Sequence, residues 1–211
     1  MVTIIDYGIG NLRSIEKALE RVGASVTRTD DPAAIAAADR LVLPGVGAFG
    51  ACADAIRSRG LEAPLQEAVG RGTPLLGVCV GMQLLFDVGL EHGTHEGLGL
   101  LPGRVVHFHK APAGEADALK VPHMGWNQLA IRRATPLTRD LGDAPYVYFV
   151  HSYHAVADSP RDVVATATYG HAFPAIVQRD NVYGVQFHPE KSQLPGLRIL
   201  QNFATLAPVP A

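Results

Sequence analysis

Two short stretches of this 211-residue chain combine residue types that could do covalent chemistry. The first is Gly77-Val78-Cys79-Val80-Gly81, which follows apolar Leu75-Leu76 and leads into Met82-Gln83-Leu84-Leu85-Phe86. An apolar strand that breaks at a glycine-flanked cysteine and resumes in a helical pattern has the form of a nucleophile elbow. It is the cysteine counterpart of Gly-x-Ser-x-Gly, in which small neighbours permit the sharp turn that projects the nucleophile. A helix N-terminus and a nearby histidine are the features that turn a thiol, with an ordinary pKa of about 8.5, into reactive thiolate. The second stretch is His188-Pro189-Glu190. In an extended segment residues two apart project to the same side, so Glu190 could hold the imidazole that takes a proton from Cys79. Pro189 donates no N–H and suits the end of a strand. Each stretch also has a plain reading, as a buried cysteine in a tight turn and as a surface ion pair. Together they favour chemistry.

The elements that must position these groups follow a strand and helix rhythm. Val2 to Asp6 reads as a strand, Tyr7 to Asn11 as a glycine turn, and Leu12, Ile15, Leu19 and Val22 recur at helical spacing. A second strand over 24–29, a short helix over 32–38 and a buried strand at Leu41-Val42-Leu43 continue the pattern. Gly8-x-Gly10 lacks the third glycine of a dinucleotide fingerprint and reads as a tight turn. Pro44-Gly45-Val46-Gly47-Ala48-Phe49-Gly50 lies just beyond the third strand, where freed backbone can aim amide N–H groups. Helices over 49–59 and 61–69 lead to the strand ending at Cys79, and Cys52 reads as a small packing residue of the first. A helical segment Gln83 to Phe86 is expected next.

Beyond it the signals become antiparallel, with runs at 104–108, 125–131, 146–153, 163–169 and 175–179. Lys110 to Ala118 reads as a mobile loop. Val182 to His188 is a last strand, followed by a helix carrying Leu197, Leu200 and Phe203 and by a Pro/Ala tail. The expected fold is α/β, a single domain over 1–211, with a central mixed and largely parallel sheet flanked by helices and additional antiparallel strands.

Apolar residues make up 47% of the chain, charged residues 18%, and the formal net charge is −2, so nothing here matches phosphate backbones and no nucleic-acid partner is expected. The N-terminus enters a strand directly, and no apolar run approaches the ~18 residues of a membrane span, so the expectation is a cytoplasmic protein with no membrane partner. Two cysteines argue against a disulfide framework. The pairs His92-x-x-His95, His107-x-His109 and His151-x-x-His154 bring no carboxylate or thiolate set, so neither a metal nor a cofactor is expected.

Gly77-Val78-Cys79-Val80-Gly81-Met82-Gln83 and Phe187-His188-Pro189-Glu190 resemble the two signatures of the class I (triad) glutamine amidotransferases. Pro44 to Gly50, Pro122-His123-Met124-Gly125-Trp126-Asn127, Tyr148 to Tyr153 and Gln186 to Ser192 resemble the branch that feeds ammonia to a cyclase subunit of TIM-barrel form in histidine biosynthesis. The resemblance implies a flavodoxin-like amidotransferase fold and L-glutamine as substrate. It implies a Cys79, His188 and Glu190 triad that works through a thioester. The oxyanion hole falls to the N–H of Val80 and to the Val46 and Gly47 loop, whose peptide must rotate before it can donate. Gln83, Glu91, Ser152 and Tyr153 fall at the substrate, and Trp126, Asn127, Tyr148 and Lys191 at the face that docks on the barrel. Val80 stands where leucine is common, and the surroundings of Glu91 depart from the usual acidic and serine-rich version. A chain of this kind is expected to be a poor glutaminase until its partner resets the loop. A stand-alone cysteine hydrolase and an inactive binding module remain as alternatives.

Overall fold

The first half of the chain builds parallel strands whose carboxyl ends converge. In the computed structural model, which describes residues 1–108 and 119–207, strands and helices alternate from the start. The order is β1 (Val2–Ile5), α1 (Leu12–Arg21), β2 (Val26–Thr29), α2 (Pro32–Ala36), β3 (Leu41–Gly45), α3 (Phe49–Ser58), α4 (Glu62–Gly70), β4 (Leu75–Cys79) and α5 (Val80–Gln83). There follow β5 (Phe86–Gly89), β6 (His95–Glu96), β7 (Leu101–His107), β8 (His123–Gln128), β9 (Ala130–Ile131), β10 (Tyr146–His151) and β11 (Tyr153–Ala157). The described chain closes with β12 (Val163–Tyr169), β13 (His171–Arg179), β14 (Val182–Val185) and α6 (Gln193–Ala204). His109, the Lys110 to Ala118 stretch and the end of the Pro/Ala tail lie outside the described residues.

The central sheet has the order β2-β1-β3-β4-β14-β13-β12-β9, parallel from β2 through β14 and antiparallel beyond. Strands β1, β3, β4 and β14 are buried at every position, as expected where helices cover both faces. Asp31 caps α2 by accepting from the Ala33 N–H. In the registers flanking β4, Gly45 lies opposite Cys79 on one side and Val185 opposite Val78 on the other. The glycine loop after β3, the cysteine ending β4 and the histidine three residues past β14 therefore meet at one edge, where open α/β sheets bind ligands.

Several elements differ from the sequence-based expectation, each for a tertiary reason. The helical pattern after Cys79 stops at Gln83, and Phe86 opens a strand. The Leu84 and Leu85 carbonyls accept from the N–H groups of Leu98, Leu100 and Leu101 at 2.8–2.9 Å, so the chain beyond Leu85 is tied to the 98–101 segment rather than to a further helical turn. An unbroken apolar run cannot distinguish these outcomes. The run 146–153 is two strands, because the chain leaves β8 at His151 and joins β7 at Tyr153. The run 125–131 likewise divides between β8 and β9, which lie in different sheets. Strand β13 extends back to His171 through Pro174, a position opposite Thr166 but beyond the reach of β14, where a missing N–H costs no ladder bond.

Candidate active site

Cys79 occupies a backbone conformation that few side chains adopt, with φ 57° and ψ −112°. Such positions cost about 1–3 kcal/mol and persist only where surrounding structure enforces them. Here the enforcement is backbone against backbone. A Cβ on Gly81 would stand 1.9 Å from the Leu43 carbonyl oxygen, one on Gly77 2.5 Å from the Gly81 oxygen, and one on Gly45 2.6 Å from the Gly81 nitrogen. The glycines flanking the cysteine thus serve close packing of β3, β4 and α5 around the turn. At four residues α5 is too short to supply the helix field expected at the sulfur. Polarisation comes instead from side chains: His188 lines the same pocket as Cys79 and interacts with it electrostatically, and the Gln186 amide lies 4.0 Å from Sγ.

Glu190 reaches His188 through a 3-10 turn over Pro189–Lys191 rather than along the extended strand expected from the sequence. Its Oε1 accepts from His188 Nδ1 at 2.9 Å and from Asn11 Nδ2 at 3.3 Å. Because Nδ1 carries the proton given to Glu190, Nε2 is free to take one from sulfur. Glu190→Gln keeps the size but removes the negative charge and offers an amide to the ring. It is expected to lower kcat for ammonia release by about 10⁴-fold with a much smaller change in KM.

Burial works against a charged ring at His188, but the hydrogen bonds and charges of Cys79 and Glu190 outweigh it and push the ring up to about 10 from its ordinary 6.5. The folded chain therefore holds this proton more tightly than the unfolded chain. The resulting stabilisation is complete below about pH 6.5, declines between about 6.5 and 10, and is lost above. Urea midpoints are expected to fall more steeply across that window for the unaltered chain than for His188→Gln.

The elbow opens into a pocket of about 570 Å³ that Cys79, Val80 and His188 line together with Val46 and Gly47. Val80 N–H stands at the first position of α5, where no intrahelical acceptor exists. The Val46 carbonyl accepts from the buried Cys52 thiol at 3.3 Å. In a trans peptide N–H and C=O point opposite ways, so the Gly47 N–H is directed away from Cys52. Burial pushes the Cys52 thiol up, consistent with the packing role expected from the sequence.

Gln83, Glu91, Ser152 and Tyr153 line the same pocket. Gln83 is buried, its Nε2 donating to the Tyr153 carbonyl at 3.0 Å and to Gln186 Oε1 at 3.1 Å, which leaves Oε1 as its acceptor. Glu91 Oε2 accepts from the Phe49 N–H at 2.7 Å and so caps α3, which has no side-chain cap at Ala48. Sequence reasoning missed Asn11 and Gln186. Gln186 is only two residues before His188, and Asn11 ends the first glycine turn, so no local spacing links either to the cysteine.

Trp126 and Tyr148 are cross-strand partners of β8 and β10 with ring centroids 6.0 Å apart, and Lys191 Nζ lies 6.0 Å from the Tyr148 ring centre. Trp126 is exposed, and Lys191 also lines the pocket. The Tyr148 carbonyl accepts from His188 N–H at 3.0 Å, and its own N–H donates to Ser192 Oγ at 2.9 Å, so this surface is built directly onto the triad loop. Asn127 follows Trp126 on β8 and is half-buried. Strand alternation turns it to the opposite side from Trp126, where Nδ2 donates to the Thr168 carbonyl and to His123.

A strained cysteine elbow thus lies at the carboxyl edge of a largely parallel sheet with a hydrogen-bonded histidine and glutamate pair beside it, and comparison with known proteins gives the class. The family described as glutamine amidotransferase class-I matches residues 3–206, and the chain belongs to that family. Among similar proteins are those called imidazole glycerol phosphate synthase subunit HisH. That of Salinibacter ruber is 68% identical over 206 residues, spanning 98% of this chain and 94% of that protein. That of Syntrophotalea carbinolica is 53% identical, spanning 98% and 100%. A solved structure titled as a glutamine amidotransferase superposes with a TM-score of 0.72 at 21% identity, covering 97% of this chain and 99% of the other, a likeness of fold.

Proposed function

We propose that this chain is the glutaminase subunit of an imidazole glycerol phosphate synthase. It hydrolyses L-glutamine to glutamate and ammonia and passes the ammonia to a TIM-barrel cyclase subunit for histidine biosynthesis. The observation that carries this reading is Cys79 at an open pocket beside the hydrogen-bonded His188 and Glu190 pair, in a chain 46–68% identical to proteins of that name. Cys79 sulfur attacks the side-chain amide carbon of glutamine while His188 Nε2 holds the thiol proton. Collapse of the tetrahedral intermediate breaks the C–N bond, and His188 gives that proton to the departing nitrogen. Water, deprotonated by His188, then cleaves the thioester to glutamate. The N–H of Val80 and one from the Val46 and Gly47 loop stabilise the oxyanion. Gln83, Glu91, Ser152 and Tyr153 hold the amino-acid end, and Trp126, Tyr148 and Lys191 form the docking face, with Asn127 supporting it from the inner side of β8.

Ammonia handed over at neutral pH must be sheltered from water, or it becomes ammonium and loses its nucleophilicity. Glutamate formation is therefore expected to rise strongly when the cyclase subunit and its ligand are added. Equal turnover with and without the barrel would point to a stand-alone hydrolase, and no turnover in either case to a binding module.

A further inference from the structure

A hydrogen-bond chain whose direction is fixed at its outer end runs from Asn127 through His123 to His151, which itself lines the pocket. Asn127 Oδ1 accepts from the Gln128 N–H at 2.8 Å, which identifies Nδ2 as the donor to the Thr168 carbonyl at 2.9 Å and to His123 Nε2 at 3.2 Å. An amide nitrogen only donates, so His123 Nε2 carries no proton and the proton sits on Nδ1. His123 Nδ1 lies 3.0 Å from His151 Nε2, which must then accept, leaving His151 Nδ1 to donate to the Tyr153 carbonyl at 2.8 Å. The same carbonyl receives the Gln83 amide at 3.0 Å, so both of its lone pairs are engaged. His123 is stacked between Phe149 and Tyr169, with centroids at 4.9 and 4.2 Å, and His151 packs against Phe173 at 5.2 Å. Burial lowers His123 to about 4 and His151 to about 3, in keeping with two neutral rings.

We infer that His123 and His151 are positioning residues. As a one-way chain of neutral Nδ1–H rings from Asn127 to the Tyr153 carbonyl, they fix the Ser152 and Tyr153 corner against which the amino-acid end of the substrate is held. This rests on the glutaminase reading for the identity of the substrate. The corner is where the chain passes from one sheet to another, and among the described residues its only ladder bond is the one the Ser152 carbonyl accepts from the Phe108 N–H at 3.0 Å. Two side-chain donors on the Tyr153 carbonyl add to that single bond.

Two measurements test the inference. Long-range proton and nitrogen NMR of the unaltered chain at neutral pH is expected to show both rings as the Nδ1–H tautomer, and an Nε2–H tautomer at either ring would overturn the chain as drawn. In the assembled synthase, His151→Phe keeps the aromatic packing but removes both ring nitrogens. It is expected to raise KM for glutamine about tenfold or more, with kcat changed less than about threefold and an unchanged rate of Cys79 alkylation by iodoacetamide. An unchanged KM, or a loss confined to kcat, would overturn the positioning role. If the unaltered synthase released no ammonia from glutamine, the substrate reading would fail, while the tautomer measurement would still decide the chain.

Discussion

Cys79→Ala is expected to lower glutamine hydrolysis by about 10⁶-fold, the scale on which removal of the nucleophile disables a hydrolytic triad. No other group can take over. Cys52, the remaining thiol, is buried in α3 and hydrogen-bonded to the Val46 carbonyl, with its thiol pushed up by burial. His188 would retain Glu190 but have no proton to take. Because the pocket-lining Gln83, Glu91 and Tyr153 are untouched, glutamine affinity is expected to change only a few fold, which a binding measurement with the inactive variant reads directly. Alanine tolerates the position no better and no worse than cysteine, since the strain at φ 57° belongs to any Cβ, so the melting temperature is expected to stay within a few degrees.

Gly81→Ala should be severely damaging. Its Cβ would fall 1.9 Å from the Leu43 carbonyl oxygen and 2.9 Å from its carbon, and neither β3 nor α5 can retreat, because β3 is paired with β4 at Gly45 and Cys79. A loss of about 3–5 kcal/mol in urea unfolding, or failure to accumulate as folded protein, is expected. Gly70→Ala, at the end of α4 with open space around the added carbon, is the control and is expected to be neutral or to stabilise by about 0.5–1 kcal/mol. Equal effects of the two substitutions would show that the elbow does not depend on backbone contact.

The parts of this molecule that could be read from sequence are those whose physics is local. Gly77-x-Cys79-x-Gly81 announces a tight turn because only small neighbours allow it, and the buried strands β1, β3 and β4 declare themselves as apolar runs between glycine turns. His188 and Glu190 were legible as a pair, though the 3-10 turn joining them was not, since Pro189 is compatible with either geometry. What stayed hidden depends on distant partners. Phe86 opens a strand because Leu98 to Leu101 return to claim the preceding carbonyls. Ser152 breaks a strand because its two neighbours pair with different sheets, which no local feature of the run announces. Asn11 meets Glu190 across 179 positions. The cysteine elbow and the His188 and Glu190 pair were therefore visible in the sequence, while Asn11 and Gln186, which contact them, were not.

The role of Cys79 is tested most directly by covalent capture. A glutamine analogue with an electrophilic side-chain end, such as 6-diazo-5-oxo-L-norleucine, should alkylate the assembled synthase once per chain. Glutamine should protect against the reaction, which should end ammonia release as it proceeds. Peptide mapping by mass spectrometry is expected to find the label on Cys79 alone. A label on Cys52, or complete inactivation with Cys79 unmodified, would contradict the mechanism.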